Sequence, residues 1–349
     1  MIQQGQVSPE CWDAIRQAIA GTCTSQRCSR GMRFLLMAVL AIAVAATATG
    51  GNRETLDSAT AKASSQPIGG GTGRIAYSCE IDYSRYRLDI CVSDLSGTNR
   101  VRLTKSRSNE FDPSWSPNGR RIAFRVAPSG LPATTPLADI VVINADGSGR
   151  KNLTDNPRRG NWSPAWSPNG RQVAFATART GTDVWVMRSD GSHLKRLTRG
   201  GGEYPAWSPD GKQIAFMSSR TGDYEIYVMT ADGTRVRRLT QSAGQDGWPA
   251  WSPDGRWIAF TPERGRATGL FDIYVMRPDG SDLRNLTRDT DDLSSDYPDW
   301  APDGSTILFS AYHQDRDGGG IYLMKADGGE RRQLIKGGVS PVWQPRARR

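Results

Sequence analysis

Tyr204-Pro205-Ala206-Trp207-Ser208-Pro209-Asp210-Gly211 is followed by Ile214-Ala215-Phe216, Ile226-Tyr227-Val228-Met229, Asp232-Gly233 and Arg238-Leu239-Thr240. The apolar residues are β-branched or aromatic and come in short runs, the composition of strands. Between them lie turn residues. Pro presets φ, Asp bonds to nearby backbone, and Gly accepts φ > 0, so Ser208–Gly211 reads as a tight turn. Asp232-Gly233 reads as a second. The stretch therefore predicts four strands: A (P-x-W), B (I-A-F), C (I-Y-V-M) and D (R-L-T).

The same unit recurs along the chain. The Trp of P-x-W falls at Trp115, Trp166, Trp207, Trp251, Trp300 and Trp343, with spacings of 51, 41, 44, 49 and 43 residues. Periods of this length mark propellers or arrays. From each Trp to the first apolar residue of strand B the offset is 7 in all five countable cases. From the residue opening strand C (Asp89, Asp139, Asp183, Glu225, Asp272, Gly320) to the end of strand D it is 15 in all six. The A–B and C–D turns are thus constant, and all length variation falls in the B–C and D–A connections. In an up-and-down sheet those two connections emerge on one side, giving a uniform face and a variable, binding-type face.

The repeats begin at a B strand (Arg74-Ile75-Ala76-Tyr77) and end at an A strand (Val342-Trp343). The expected fold is all-β: a six-bladed β-propeller of four-stranded antiparallel blades, its ring closed by the C-terminal strand joining the first blade. An open superhelix is the alternative, and it needs capped ends. A large ring recurring at one point of every blade reads as inter-blade core, with a stacking platform for ligands as the functional alternative.

Composition narrows the chemistry. There are 349 residues, 45 Lys and Arg, 36 Asp and Glu, a net charge of +9 and only 2 His. So few His argue against a multi-histidine metal enzyme. Neither a G-x-S-x-G elbow nor a G-x-x-x-x-G-K-[ST] loop occurs, which removes the α/β-hydrolase and P-loop readings. The basic residues are scattered singly, so no nucleic-acid surface is expected. An anionic partner and plain Arg-rich composition both fit the charge.

Residues 34–49, FLLMAVLAIAVAATAT, are uncharged and apolar, follow Arg33, and contain a small-x-small site at Ala46-Thr47-Ala48. This is the length of a signal-peptide core and short for a span. The expected organisation is an N-terminal extension at 1–31 from a misassigned start, a signal peptide or signal anchor at 32–48, a linker at 49–72, the propeller at 73–343 and a basic tail at 344–349. Cleavage gives a periplasmic or extracellular protein; an uncleaved segment 33–49 anchors it and is the only membrane contact expected. The exported part keeps Cys79 and Cys91, read as a disulfide in an oxidising compartment or as two free thiols in neighbouring strands.

The D–A connections carry Glu110, Asp112, Glu203, Asp246, Asp296 and Asp299, and the B–C connections carry Arg125, Arg179, Arg220, Arg264 and Arg316. Around a channel mouth the acids suit a basic peptide segment, an N-terminal amine or Ca²⁺. Salt bridges tying the loops together are the bland alternative. Residues 288–299, RDTDDLSSDYPD, resemble a calcium loop only loosely, lacking its Gly. Trp162, Tyr204, Trp248 and Tyr297, with Phe111, precede the inner-strand Pro and read as peptide anchors or inter-blade packing. His193 reads as a turn residue, and His313 near Asp315 and Asp317 has no partner nucleophile.

The repeat P-x-W-S-P-D-G…I-A-F…I-Y-V-M…D-G…R-L-T resembles that of TolB-type β-propellers over residues 73–343. The resemblance implies an exported envelope protein that binds a protein or peptide segment at the loop face and channel mouth. Similar blades form gating domains of prolyl-oligopeptidase-type peptidases, whose catalytic domain has no counterpart in this sequence. TolB carries a separate α/β domain where this sequence has the 49–72 linker. Oligogalacturonate lyases have related blades with several metal-binding His. The expectation is a non-enzymatic, monomeric binding propeller without a cofactor, Ca²⁺ in the channel remaining open. A metal-dependent hydrolase or lyase with acids around a channel metal is the alternative.

Overall fold

The computed structural model describes residues 73–82, 87–128, 137–155, 160–178, 181–264, 269–288, 293–313 and 319–346. The N-terminal extension, the apolar segment, the linker, Arg179, Arg316, Asp315, Asp317 and residues 347–349 lie outside them.

The first blade contains β1 (Arg74–Asp82), β2 (Arg87–Asp94) and β3 (Val101–Arg102). The second has β4 (Asn109–Trp115), β5 (Arg121–Ala127), β6 (Asp139–Asn144) and β7 (Lys151–Asn152). The third has β8 (Asn161–Trp166), β9 (Gln172–Thr177), β10 (Asp183–Arg188) and β11 (Lys195–Arg196). The fourth has β12 (Glu203–Trp207), β13 (Gln213–Ser218), β14 (Glu225–Thr230) and β15 (Arg237–Arg238). The fifth has β16 (Asp246–Trp251), β17 (Ile258–Pro262), β18 (Tyr274–Met276) and β19 (Arg284–Asn285). The sixth has β20 (Leu293–Trp300), β21 (Thr306–His313), β22 (Gly320–Lys325) and β23 (Arg332–Lys336), and β24 (Val339–Trp343) ends the chain's strands.

Each blade is a four-stranded sheet, and the first is ordered β24-β1-β2-β3. Ile75 pairs with Trp343 and Ala76 with Val342, antiparallel, and Gln344 N–H donates to the Arg74 carbonyl at 2.9 Å. The last strand therefore completes the first sheet, and the chain is a closed six-bladed propeller.

Apolar side chains pack between sheets. Trp115 joins Ala76, Ile90 and Val92 of the first blade to Ile122 and Phe124 of its own. Trp343 does the same between Leu308 and Ile321 of the sixth blade and Ile75 and Tyr77 of the first. Trp166, Trp207, Trp251 and Trp300 occupy the equivalent place at the other four interfaces. The inter-blade reading of these rings is the one the packing supports. Farther out, turn backbone meets strand backbone. A Cβ at Gly97, where φ is 74°, would stand 2.5 Å from the Leu334 carbonyl oxygen across the closing interface.

An acid–hydroxyl relay holds the outer strands. Thr198 Oγ1 donates to Asp183 at 3.0 Å and accepts the Val184 N–H at 2.9 Å, while Arg196 donates to the same carboxylate at 2.5 Å. Glu225 with Arg238 and Thr240 repeats it, as does Asp272 with Asn285 and Thr287. These acids and the Thr of R-L-T are structural. Gly320 and Ile335 replace them in the sixth blade. The adjoining first blade carries the Cys79–Cys91 disulfide, across β1 and β2, with a Cα–Cα distance of 5.7 Å. Both cysteines are buried beside Trp343.

Inner strands share one irregularity. Between Phe111 and Ser114, three steps of β4 span two steps of β5, from Arg125 to Ala123. The same mismatch occurs in β8, β12, β16, β20 and β24. At each bulge the residue before Pro is left-handed: Asp112 (φ 52°), Ser163 (52°), Tyr204 (47°), Trp248 (49°), Tyr297 (52°) and Ser340 (54°). None is Gly, and a residue before Pro ordinarily takes an extended conformation.

Two outcomes follow from this packing. Trp166→Ala empties an inter-blade site and lowers unfolding free energy by about 3–5 kcal/mol in urea titration, whereas a ligand-platform residue would leave the midpoint unchanged. Reduction of Cys79–Cys91 lowers the unfolding free energy by about 3 kcal/mol on the chain-entropy account, read as a drop in urea midpoint with reductant that a Cys79→Ser/Cys91→Ser variant reproduces without it.

Candidate channel site

Six inner strands point their P-x-W segments at the axis. Each runs from the side of the variable connections to the A–B turns, so position along the strand gives depth in the channel. The acids expected in loops belong to these strands. Glu110 is in β4, Glu203 opens β12, Asp246 opens β16, and Asp296 and Asp299 are in β20. Counting back from Trp, Glu110 and Asp246 stand at the fifth residue, Glu203 and Asp296 at the fourth, Asp112 at the third and Asp299 at the first. The bulge lies among these positions and shifts the face presented on its loop side. They form no single ring.

On the loop side the acids are buried and mostly engaged. Glu203 accepts Tyr224 Oη at 2.6 Å and Trp162 Nε1 at 3.3 Å. Burial pushes its carboxyl up, and burial together with the neighbouring Glu203 charge lifts the Tyr224 hydroxyl well above the usual phenol range. Glu110 Oε1 accepts Arg150 at 2.8 Å and Ser106 Oγ at 2.9 Å. Asp246 accepts Ser242 Oγ at 3.1 Å and is pushed up by burial and by the neighbouring Glu225 carboxylate. Asp296 is only 5% exposed, and burial pushes it up to about 7 against the Ser310 hydroxyl.

The arginines are anchored too. Arg220 donates to the Gly201 carbonyl at 2.6 Å and Ser218 Oγ at 3.0 Å, and lies 4.9 Å above the Tyr227 ring. Arg264 pairs with Asp272 and donates to the Leu293 carbonyl at 3.0 Å. Arg125 stacks on Phe111 at 5.3 Å. Ties from loop to strand thus account for Arg220 and Arg264. His193 occupies a left-handed turn position (φ 56°), and His313 ends β21. Of residues 288–299, those at 289–292 lie outside the described residues and Leu293–Asp299 are strand. Among the described residues no three His, Cys, Asp or Glu side chains converge to hold a metal ion.

At mid-depth three of the expected aromatics meet. Tyr204, Trp248 and Tyr297 come from consecutive fourth, fifth and sixth blades. Ring centroids are 5.7 Å apart for Tyr204–Trp248, 4.9 Å for Trp248–Tyr297 and 5.9 Å for Tyr204–Tyr297. The two tyrosine hydroxyls lie 3.2 Å apart. Trp162 stays on the loop side with Glu203. Beyond the aromatic cluster, toward the A–B turns, is a cavity of about 260 Å³. Every lining residue is at or after the left-handed position, including Asp112, Ser163 and Asp299. Burial pushes Asp299 up to about 7 while the Trp343 N–H, donated at 2.6 Å, opposes the shift. Burial likewise raises Asp112, against Arg125 and Ser163.

Sequence reading missed Ser163, Ser340 and the proline wall. Their signal was present: each stands in a fixed relation to the Pro of P-x-W. The buried Asp296 also sets a pH response. Folded, it keeps its proton to about pH 7; unfolded, it loses it near pH 4. The folded state binds more protons in that window, so its contribution falls as pH rises through it, by up to about 4 kcal/mol. Urea midpoints of Asp296→Asn will therefore decline less between pH 5 and 7 than those of the unsubstituted protein; parallel declines would remove Asp296 as the source.

The TolB beta propeller domain matches residues 69–347. "Protein TolB homolog" of Chlorobaculum tepidum is 36% identical over 115 residues, 33% of this chain and 25% of that protein. "Dipeptidyl-peptidase 5" of Porphyromonas endodontalis is 33% identical over 103 residues, 29% of this chain and 14% of that one. The matched segments thus span a quarter or less of these two curated relatives. In structure, TolB from Acinetobacter baumannii superposes with a TM-score of 0.65 at 23% identity, covering 78% of this chain and 67% of the other; that likeness is one of fold. With a family match running from the first blade to the closing strand, the chain belongs to the TolB β-propeller family.

Proposed function

We propose that the chain is an exported, non-enzymatic TolB-like propeller that binds a protein or peptide segment at its variable-loop face and channel mouth in the cell envelope. The division between the two faces carries this reading. On one side the turns are constant in length and closed by their own hydrogen bonds, as where Ser208 Oγ donates to Asp210 at 2.6 Å and accepts the Gln213 N–H at 2.9 Å. On the other, the connections differ from blade to blade and surround half-buried Phe111 and Trp162. A rigid ring presenting unlike loops suits recognition of one partner at several points. The buried disulfide suits an oxidising compartment. TolB names among the relatives support this reading, though peptidase names stand beside them.

Photo-reactive residues test the face without disturbing the fold. Placed at exposed Gln241 or Arg199 on the loop side, they will cross-link one envelope protein in cells; at exposed Arg235 on the turn side they will not. Cross-linking confined to Arg235 would assign docking to the uniform face and reject the proposal.

A further inference from the structure

We propose that the turn-side half of the channel is a binding pocket for an organic ammonium group. It lies across the aromatic cluster from the loop-face mouth, and so stands independently of partner docking there.

The cavity has two unlike halves. Left-handed residues of the fourth, fifth and sixth blades supply Tyr204, Trp248 and Tyr297, with planes inclined by 44° to 73° to one another. Those of the second, third and first blades supply Asp112, Ser163 and Ser340. Asp299 adds a second carboxyl from β20, and Trp207 and Trp251 add indole surface. Among the described lining residues none is cationic. Arg125 pairs opposite Phe111 on the loop side of the bulge, and its charge is felt at Asp112 from there.

Two polar groups lie side by side in the wall. Ser163 is 6% exposed, and its hydroxyl faces the Asp112 carboxyl. The Asp112 Oδ2 is buried and makes no hydrogen bond of ordinary length. Buried polar groups gain from a further partner. Asp112 lines the same cavity as Tyr204, Trp248 and Tyr297, which places its carboxyl opposite the aromatic half. A positive group between them would face ring surfaces on one side and the Asp112 and Asp299 carboxyls on the other, and its charge would favour their ionised form.

The same wall disfavours the competing ligands. Ca²⁺ takes six to eight oxygens, and most of this lining is proline, alanine and aromatic ring. An anion meets two carboxyls. About 260 Å³ admits an ammonium head with its substituents and excludes a folded partner. The ammonium can be a free small molecule or the amine of an inserted chain end; the recognition chemistry is shared.

Titration of the full chain with tetramethylammonium and with n-butylammonium, followed by tryptophan fluorescence and calorimetry, tests the pocket. Neopentyl alcohol is the neutral comparison of similar shape. At least one cation will bind saturably and about ten-fold or more tighter than the alcohol. Preference for tetramethylammonium points to a free quaternary ligand; preference for n-butylammonium points to a primary amine on a chain. Asp112→Asn and Asp299→Asn will each weaken the cation about ten-fold or more with unchanged circular dichroism, since the Asn amide oxygen can still accept the Trp343 N–H. Absence of saturable binding by both cations, equal binding of the alcohol, or cation binding indifferent to both substitutions overturns the proposal. Loop-face cross-linking at Gln241 is a separate readout, so either idea can fail alone.

Discussion

Packing between neighbouring blades is the constraint on which everything else rests. No sheet has a second layer of its own. Trp115 buries its ring only because Ile90 and Val92 of the preceding blade stand against it, and the same dependence passes around to Trp343 and Ile75. A chain of such contacts is stable only when it has no free end, which is why β24 returns to β1. Backbone contacts enforce the same closure: the Gly97–Leu334 approach admits no Cβ. At this seam the acid–hydroxyl relay of the sixth blade is missing, Gly320 and Ile335 standing where Asp or Glu and Thr stand elsewhere. The Cys79–Cys91 crosslink lies on the other side of that seam.

Closure in turn holds the inner strands in a conformation they would not choose. Six non-Gly residues before proline sit at φ between 47° and 54°, each at a cost of order 1–3 kcal/mol. The flanking strand pairs resume normal register on both sides of the bulge, so the irregularity is trapped between fixed ends. Its effect is to aim the residue before Pro at the axis. Strain is repeated in all six blades, while the side chains it presents differ, aromatic in three and small or acidic in three.

The fold was legible because it is written six times. A constant 7-residue and a constant 15-residue offset identify the two turns, and the missing first A strand tells how the ring closes. Trp343 could be placed in the first blade from the sequence alone. The site was far less legible. Glu203, Asp246 and Asp296 read as mouth residues because they precede the inner-strand Pro, and alternation from the Trp assigns each a face. One extra residue at each bulge reverses that assignment on the loop side. Composition carries little trace of the bulge, since Tyr204, Trp248 and Tyr297 are unusual choices for a left-handed position. Partner choice was hidden as well: that Glu203 would be taken by Tyr224 of its own blade and Trp162 of the third depends on contacts that no local pattern encodes.

The aromatic cluster gives the channel two ends with separate chemistry. Tyr204 and Tyr297 touch although a whole blade lies between them in the chain, because Trp248 of that blade is tucked against Phe271 at 5.7 Å. On the loop side, each of these tyrosines is preceded by a buried acid, Glu203 or Asp296, whose surroundings raise its proton affinity. On the turn side, the same rings face Asp112 and Asp299 across open space. A change of charge at Glu203 or Asp296 therefore acts one residue away from the wall of the cavity. The two half-channels share the aromatic partition and the backbone of the six bulges, so neither end can be reshaped without moving the residues that define the other.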